Sequence, residues 1–109
     1  MAEINGDSDV IKEIVKRLCK INNIDPRKPR FEIIENIVFI SVKNHLKDGV
    51  DLECFTILNI IYQIISPLGV KFNQQLYLYP NSKRVTRVTV SFTKKDYDDI
   101  NIKLKDMKA

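Results

Sequence analysis

Apolar residues recur along the chain with two different periods, and the period switches four times between residue 8 and the C-terminus. Val10, Ile11, Ile14, Val15 and Leu18 fall at i, i+1, i+4, i+5 and i+8. That is one stripe of a helix, with Lys12, Glu13, Lys16, Arg17 and Lys20 on its wet side. Asp7 and Ser8 are capping residue types, so a first helix is expected from about Ser8 to Ile21. Asn22 and Asn23 tolerate left-handed backbone and Pro26 forbids continuation, which ends it.

Period two takes over from Phe31 to Lys43, a stretch rich in β-branched and aromatic residues. Asn36 tolerates the positive φ of a tight turn, so a hairpin turning at Glu35-Asn36 is expected. This register pairs Ile34 with Ile37, Ile33 with Val38, Glu32 with Phe39 and Phe31 with Ile40. Phe31, Ile33, Val38, Ile40 and Val42 then share one face, and Glu32, Phe39, Ser41 and Lys43 the other. A slip of one residue would scramble this sorting. The second period-two region runs from Val70 to Tyr79 and from Val85 to Phe92, joined by Pro80-Asn-Ser-Lys-Arg84. A five-residue loop sets Tyr79 against Val85, Tyr77 against Arg87, Leu76 against Val88 and Phe72 against Phe92. Phe72, Leu76, Leu78, Val88, Val90 and Phe92 form its inner face, with Gln74 the misfit. Lys71, Asn73, Gln75, Tyr77, Tyr79, Arg87, Thr89 and Ser91 form its outer face.

Two further helices complete the chain. Asp51 caps one from Leu52 to about Ile65, apolar over most of its circumference, so it must be covered on more than one side. Thr93-Lys-Lys-Asp96 has the form of a capping box and opens a last helix with the stripe Tyr97, Ile100, Leu104 and Met107. The order helix, hairpin, helix, hairpin, helix predicts an α+β two-layer sandwich: a four-stranded antiparallel sheet with helices on one face. This order resembles that of the pterin carbinolamine dehydratases, which also act as dimerisation partners of transcription factors. The resemblance is one of topology, since the histidine pair near the end of that family's middle helix has no counterpart at Ser66-Pro67-Leu68.

Composition narrows the chemistry. The 109 residues are enough for one domain, spanning residues 1–109, and 44% apolar with 29% charged is ordinary globular usage. No apolar run approaches the length of a membrane span, and residues 1–9 lack the basic and apolar regions of a signal peptide. Cys19 and Cys54 make no disulfide framework, so a reducing, cytoplasmic setting is expected. His45 is the single histidine. It and the two cysteines stand at spacings that suit no metal site. Gly6, Gly49 and Gly69 are the only glycines, too few for a phosphate-binding loop. Asp96, Asp98 and Asp99 read as favourable charge in the first turn of the last helix rather than as a metal cluster. The inventory argues against an enzyme and against any metal or cofactor.

Charge distribution is the most informative remaining feature. Between Glu53 and Asp96 there is no carboxylate, whereas the interval holds Lys71, Lys83, Arg84, Arg87, Lys94 and Lys95. Those six cations exceed the net charge of +4 for the whole chain. Arg27, Lys28 and Arg30 add three on the connector into the first strand. On the outer sheet face the same pattern sets Phe39, Tyr77 and Tyr79 beside Lys43, Lys71 and Arg87. Rings interleaved with cations on an open sheet suit a nucleic acid, because bases stack on rings while cations meet phosphates. The expected binding residues are Arg27, Lys28, Arg30, Lys43, Lys71, Tyr77, Tyr79, Lys83, Arg84 and Arg87. A second reading, from a different class, is a regulatory subunit whose open sheet face binds a protein. Helix 2 and an outer patch of Ile34, Ile37, Phe39 and Val85 also predict a homodimer.

Overall fold

A computed structural model of the chain describes residues 9–69, 71–81 and 84–108. Its elements are α1 (Val10–Ile21), β1 (Arg30–Ile34), β2 (Ile37–Lys43), α2 (Leu52–Ile65), β3 (Gln74–Asn81), β4 (Arg84–Thr93) and α3 (Lys94–Lys108), with one 3₁₀ turn at Ser66–Leu68 after α2. The strands form one antiparallel sheet in the order β1-β2-β4-β3. The α+β sandwich is therefore as expected, with the two hairpins joined through β2 and β4, and β1 and β3 left as the edges. Val38, Ile40, Val42, Val88, Val90 and Phe92 of the central strands bury one sheet face against Val15, Cys19, Ile57, Ile61, Tyr97 and Ile100 of the helices. Among the described residues no helix is long and apolar enough to cross a membrane.

Helix α1 begins later than the capping residues at 7 and 8 imply, and both of those lie outside the described residues. Asp9 is the cap: its carboxylate accepts the Lys12 N–H at 3.0 Å. The same carboxylate accepts the buried Tyr97 hydroxyl at 2.7 and 2.8 Å, and Asn101 Oδ1 accepts the Ile11 N–H at 2.9 Å. The start of α1 is thus fixed by α3, 88 residues away, through groups no local pattern links. Burial, then the neighbouring Asp9 charge, push the Tyr97 phenol far up, which keeps it a donor. At the other end the Asn22 side chain donates to the Leu18 carbonyl at 2.7 Å, and Asn23 takes φ 60°.

The first hairpin has the expected register, with Glu35 at φ 48° and Asn36 at φ 66° in the turn. The second corrects the expectation. Tyr79 lies opposite Arg87, Tyr77 opposite Thr89, Leu76 opposite Val90 and Gln74 opposite Phe92, a shift of two residues along β3. The ladder then slips between Tyr79 and Pro80, so that Pro80 faces Val85 and Asn81 faces Arg84. Thr86 is the extra residue of this bulge; its hydroxyl donates to the Tyr79 carbonyl at 2.9 Å, and its own carbonyl accepts the Asn44 N–H at 3.0 Å. Proline has no N–H to give a ladder, which makes this a natural place for pairing to slip. A shift of two preserves parity, so Gln74 to Tyr79 are sorted between the faces as expected, whereas Lys71, Phe72 and Asn73, expected on the strand, precede it.

Asp51 caps α2 by accepting the Cys54 N–H at 2.9 Å. Cys54, Ile57, Ile60, Ile61, Ile64 and Ile65 are buried, but Leu52, Phe55 and Tyr62 are exposed, so α2 is covered less completely than its composition implies. The box at the start of α3 is half formed. Thr93 Oγ1 accepts the Asp96 N–H at 3.1 Å, while the Asp96 carboxylate accepts the Asn73 N–H at 3.1 Å and so ties down the entry to β3. Tyr97, Ile100 and Leu104 face the core as expected. The Met107 side chain lies outside the described residues.

Candidate nucleic-acid interface

Strand register places the side chains of the helix-free sheet face in four rows. Ile34, Ile37 and Thr93 make the first; Glu32, Phe39, Ser91 and Gln75 the second; Arg30, Ser41, Thr89 and Tyr77 the third; Lys43, Arg87 and Tyr79 the last. Small hydroxyl residues occupy the centre. Ser41 Oγ and Thr89 Oγ1 share a hydrogen bond of 2.9 Å, and Thr89 is only 1% exposed beneath its larger neighbours. Those neighbours are rings and cations. The Arg87 guanidinium lies 4.1 Å from the centre of the Tyr79 ring, and the Tyr77 and Tyr79 rings are 6.2 Å apart. The Tyr77 hydroxyl donates to Gln75. The cross-strand cation–π partner of Arg87 is therefore Tyr79, whereas the expected register would have made it Tyr77.

Two shallow clefts flank Phe39. One, of about 160 Å³, is lined by Glu32, Ile34, Ser41, Tyr79, Arg87 and Thr89; the other, of about 230 Å³, lies over Ser91 beside Gln75 and Tyr77. The first has a ring wall at Tyr79, a hydroxyl floor, one cation and one carboxylate. Such a lining can stack a planar heterocycle and hydrogen-bond its edge.

The expected basic residues separate into two groups. Arg30 at the start of β1, Lys43 at the end of β2 and Arg84 and Arg87 at the start of β4 converge on one end of the sheet. None of the four makes an ion pair among the described residues. Arg84 donates to the Asn44 carbonyl at 3.3 Å. Asn44 itself is buried and fully engaged: its amide donates to Gly49 and Val85 carbonyls at 2.8 and 2.7 Å, and its Oδ1 accepts the Asp51 N–H at 2.8 Å. It joins the loop after β2 to the bulged start of β4, and so sets the backbone that carries Arg84 and Arg87. Sequence reasoning passed over Asn44, for which a polar residue just after a strand was the only signal.

Arg27 and Lys28 belong to the second group. Arg27 forms a two-point pair with Asp25 at 3.1 and 2.9 Å, which holds the Asp25 carboxyl down at about 2. Lys28 pairs with Glu53 at the start of α2, and this hydrogen bond raises the lysine's pKa. Both are compensated where they stand. Lys71 precedes β3, at the end of the sheet opposite the cluster, and Lys83 lies outside the described residues. Lys94, counted in the acid-free interval, pairs with Asp98 at 2.6 Å.

Cys19 and Cys54 are free and buried, and desolvation pushes the Cys54 thiol up to about 12. Among the described residues no group of histidine, cysteine and carboxylate side chains is arranged to hold a metal ion. No protein-family model, no curated protein and no solved structure matches the chain.

Proposed function

We propose that the chain is a small, non-enzymatic nucleic-acid-binding module that takes single strands on its helix-free sheet face. In this reading the backbone phosphates run past Arg30, Lys43, Arg84 and Arg87, and successive bases stack on Tyr79 and Tyr77. The observation that supports it is the Tyr79 ring with the Arg87 guanidinium over it and Tyr77 beside it, on a face no helix covers. A ring–cation pair presents a stacking surface and a phosphate contact within one nucleotide's reach.

Contact with phosphates releases counterions, so affinity must fall with salt. Four cations on a single strand give a slope of log K against log salt near −2.8, at roughly 0.7 per contact. A fluorescent single-stranded oligonucleotide titrated over a range of salt measures this directly. Tyr79→Ala should cost about 1–3 kcal/mol of single-strand affinity and leave most of the slope in place. Binding absent at physiological salt would remove the proposal. Association of the same face with a protein, insensitive to salt, would put the regulatory-subunit reading in its place.

A further inference from the structure

The helix-side surface of β3 has no role in the proposed nucleic-acid reading, and its chemistry is the opposite of the open face. Leu76 and Leu78 point to the helix side, where they are 58% and 53% exposed because no helix extends over the edge strand. Across a cleft of about 290 Å³ Leu76 faces Leu58 and Tyr62 of α2, with Phe55 one turn from Leu58 on that helix. Lys71 is the only charged residue from 54 to 82, although the chain holds 18 lysines and arginines and 14 aspartates and glutamates. β3 carries no charge in its eight residues, and Pro80 with the bulge beside it blunts only the last two positions, so Gln74 to Tyr79 form an edge open to further pairing.

We infer that this surface is where two copies of the chain associate, β3 running antiparallel to its counterpart so that the sheet continues across a two-fold axis. Two features commit the site to a second copy. A two-fold interface sets a patch against itself, so the patch must carry no unbalanced charge. On a molecule of net charge +4, the α2–β3 side meets that condition. A polyanion would need cations here, and only Lys71 stands on this stretch. The strand also complements itself, since pairing centred on Tyr77 sets Leu76 against the partner's Leu78 on the helix side. This assigns the expected dimer to different residues. Ile34 and Ile37 lie on the open face, and Val85, turned by the bulge, packs against the core.

Sedimentation equilibrium of the full chain at micromolar concentration should give twice the monomer mass of 12.7 kDa. Leu78→Lys should return it to the monomer mass with an unchanged circular dichroism spectrum. Tyr62→Lys, at a side chain 63% exposed and so outside the core, should do the same if Leu78→Lys fails to fold. Ile34→Lys, on the other edge, should leave the dimer intact. A monomeric wild type, a mass that keeps growing beyond two copies, a dimer that survives both Leu78→Lys and Tyr62→Lys, or one that Ile34→Lys dissolves would each overturn the inference. None of these outcomes bears on nucleic-acid binding by the open face.

Discussion

The two hairpins carry the same alternation of apolar and polar residues, and the fold treats them differently. In β1–β2 the apolar set is covered, down to the half-buried Phe31 and Ile33 on the edge strand itself. In β3–β4 the cover stops at β4: Val88, Val90 and Phe92 are buried, while Leu76 and Leu78 on β3 are not. The edges differ in charge as well. β1 carries Arg30 and Glu32 in five residues, and β3 carries no charge in eight. Alternation decides which way a side chain points; whether anything lies over it depends on how far three helices can reach across four strands. The edge that is both bare and uncharged is the one whose geometry invites a partner.

That contrast is open to direct tests. The largest effect should come from the covered side. Ile40→Ala, at a fully packed position, should cost about 2–5 kcal/mol in urea unfolding. Leu78→Ala should cost well under half as much once the protein is diluted to monomer. Comparable losses at the two positions would erase the distinction.

Next is Asn44, which holds the bulged end of β4 in place. Asn44→Ala leaves the Gly49 and Val85 carbonyls and the Asp51 N–H without their partner, and should cost about 1–3 kcal/mol. It should also weaken oligonucleotide binding, because it frees the segment bearing Arg84 and Arg87. Retained affinity in a destabilised variant would separate the loop from the basic cluster.

Asp51 should have a smaller and pH-dependent effect. Burial works to raise its carboxyl, but the His45 and Cys54 N–H groups outweigh it and hold the pKa below the usual aspartate value. A carboxyl depressed in the folded state contributes stability above its unfolded pKa of about 3.9 and loses it as pH falls through the folded value. Asp51→Ala should therefore cost about 1 kcal/mol at neutral pH. The gap to wild type should narrow on acidification below pH ~4. A gap constant down to pH ~2 would show that the charge contributes nothing.

The smallest effect is a non-event. With its thiol up at about 12, Cys54 should label with a thiol reagent at neutral pH only on unfolding, at the rate at which the chain opens. Fast native labelling would show that the apolar layer beneath β2 and α2 is not closed.

How much of this could be read from the residues depends on what each feature requires. The first hairpin was legible because Glu35-Asn36 is a two-residue turn that leaves one register. The second was legible in its faces and not in its pairs, since the bulge at Thr86 depends on Asn44, 42 positions away, whose N–H donates to the Thr86 carbonyl and whose amide donates to that of Val85. Counting cations found the basic end of the sheet but overstated it, because Arg27 and Lys28 meet Asp25 and Glu53, one of them 25 residues distant. The start of α1 was misplaced because its cap is chosen by Tyr97 on α3. The run from 54 to 82, with Lys71 its single charge, stood in plain view, and it gained meaning only when α2 and β3 proved to share one side.

Binding on the open face depends on its cations, and removing two of them tests it. Single-stranded oligonucleotide binding should be followed across salt for the wild type and for the double variant Arg84→Ala with Arg87→Ala. Loss of two phosphate contacts should flatten the slope of log K against log salt by about 1.4 for every oligonucleotide sequence tried. An unchanged slope, or a wild type that binds no single strand at physiological salt, would rule out nucleic-acid binding through this face.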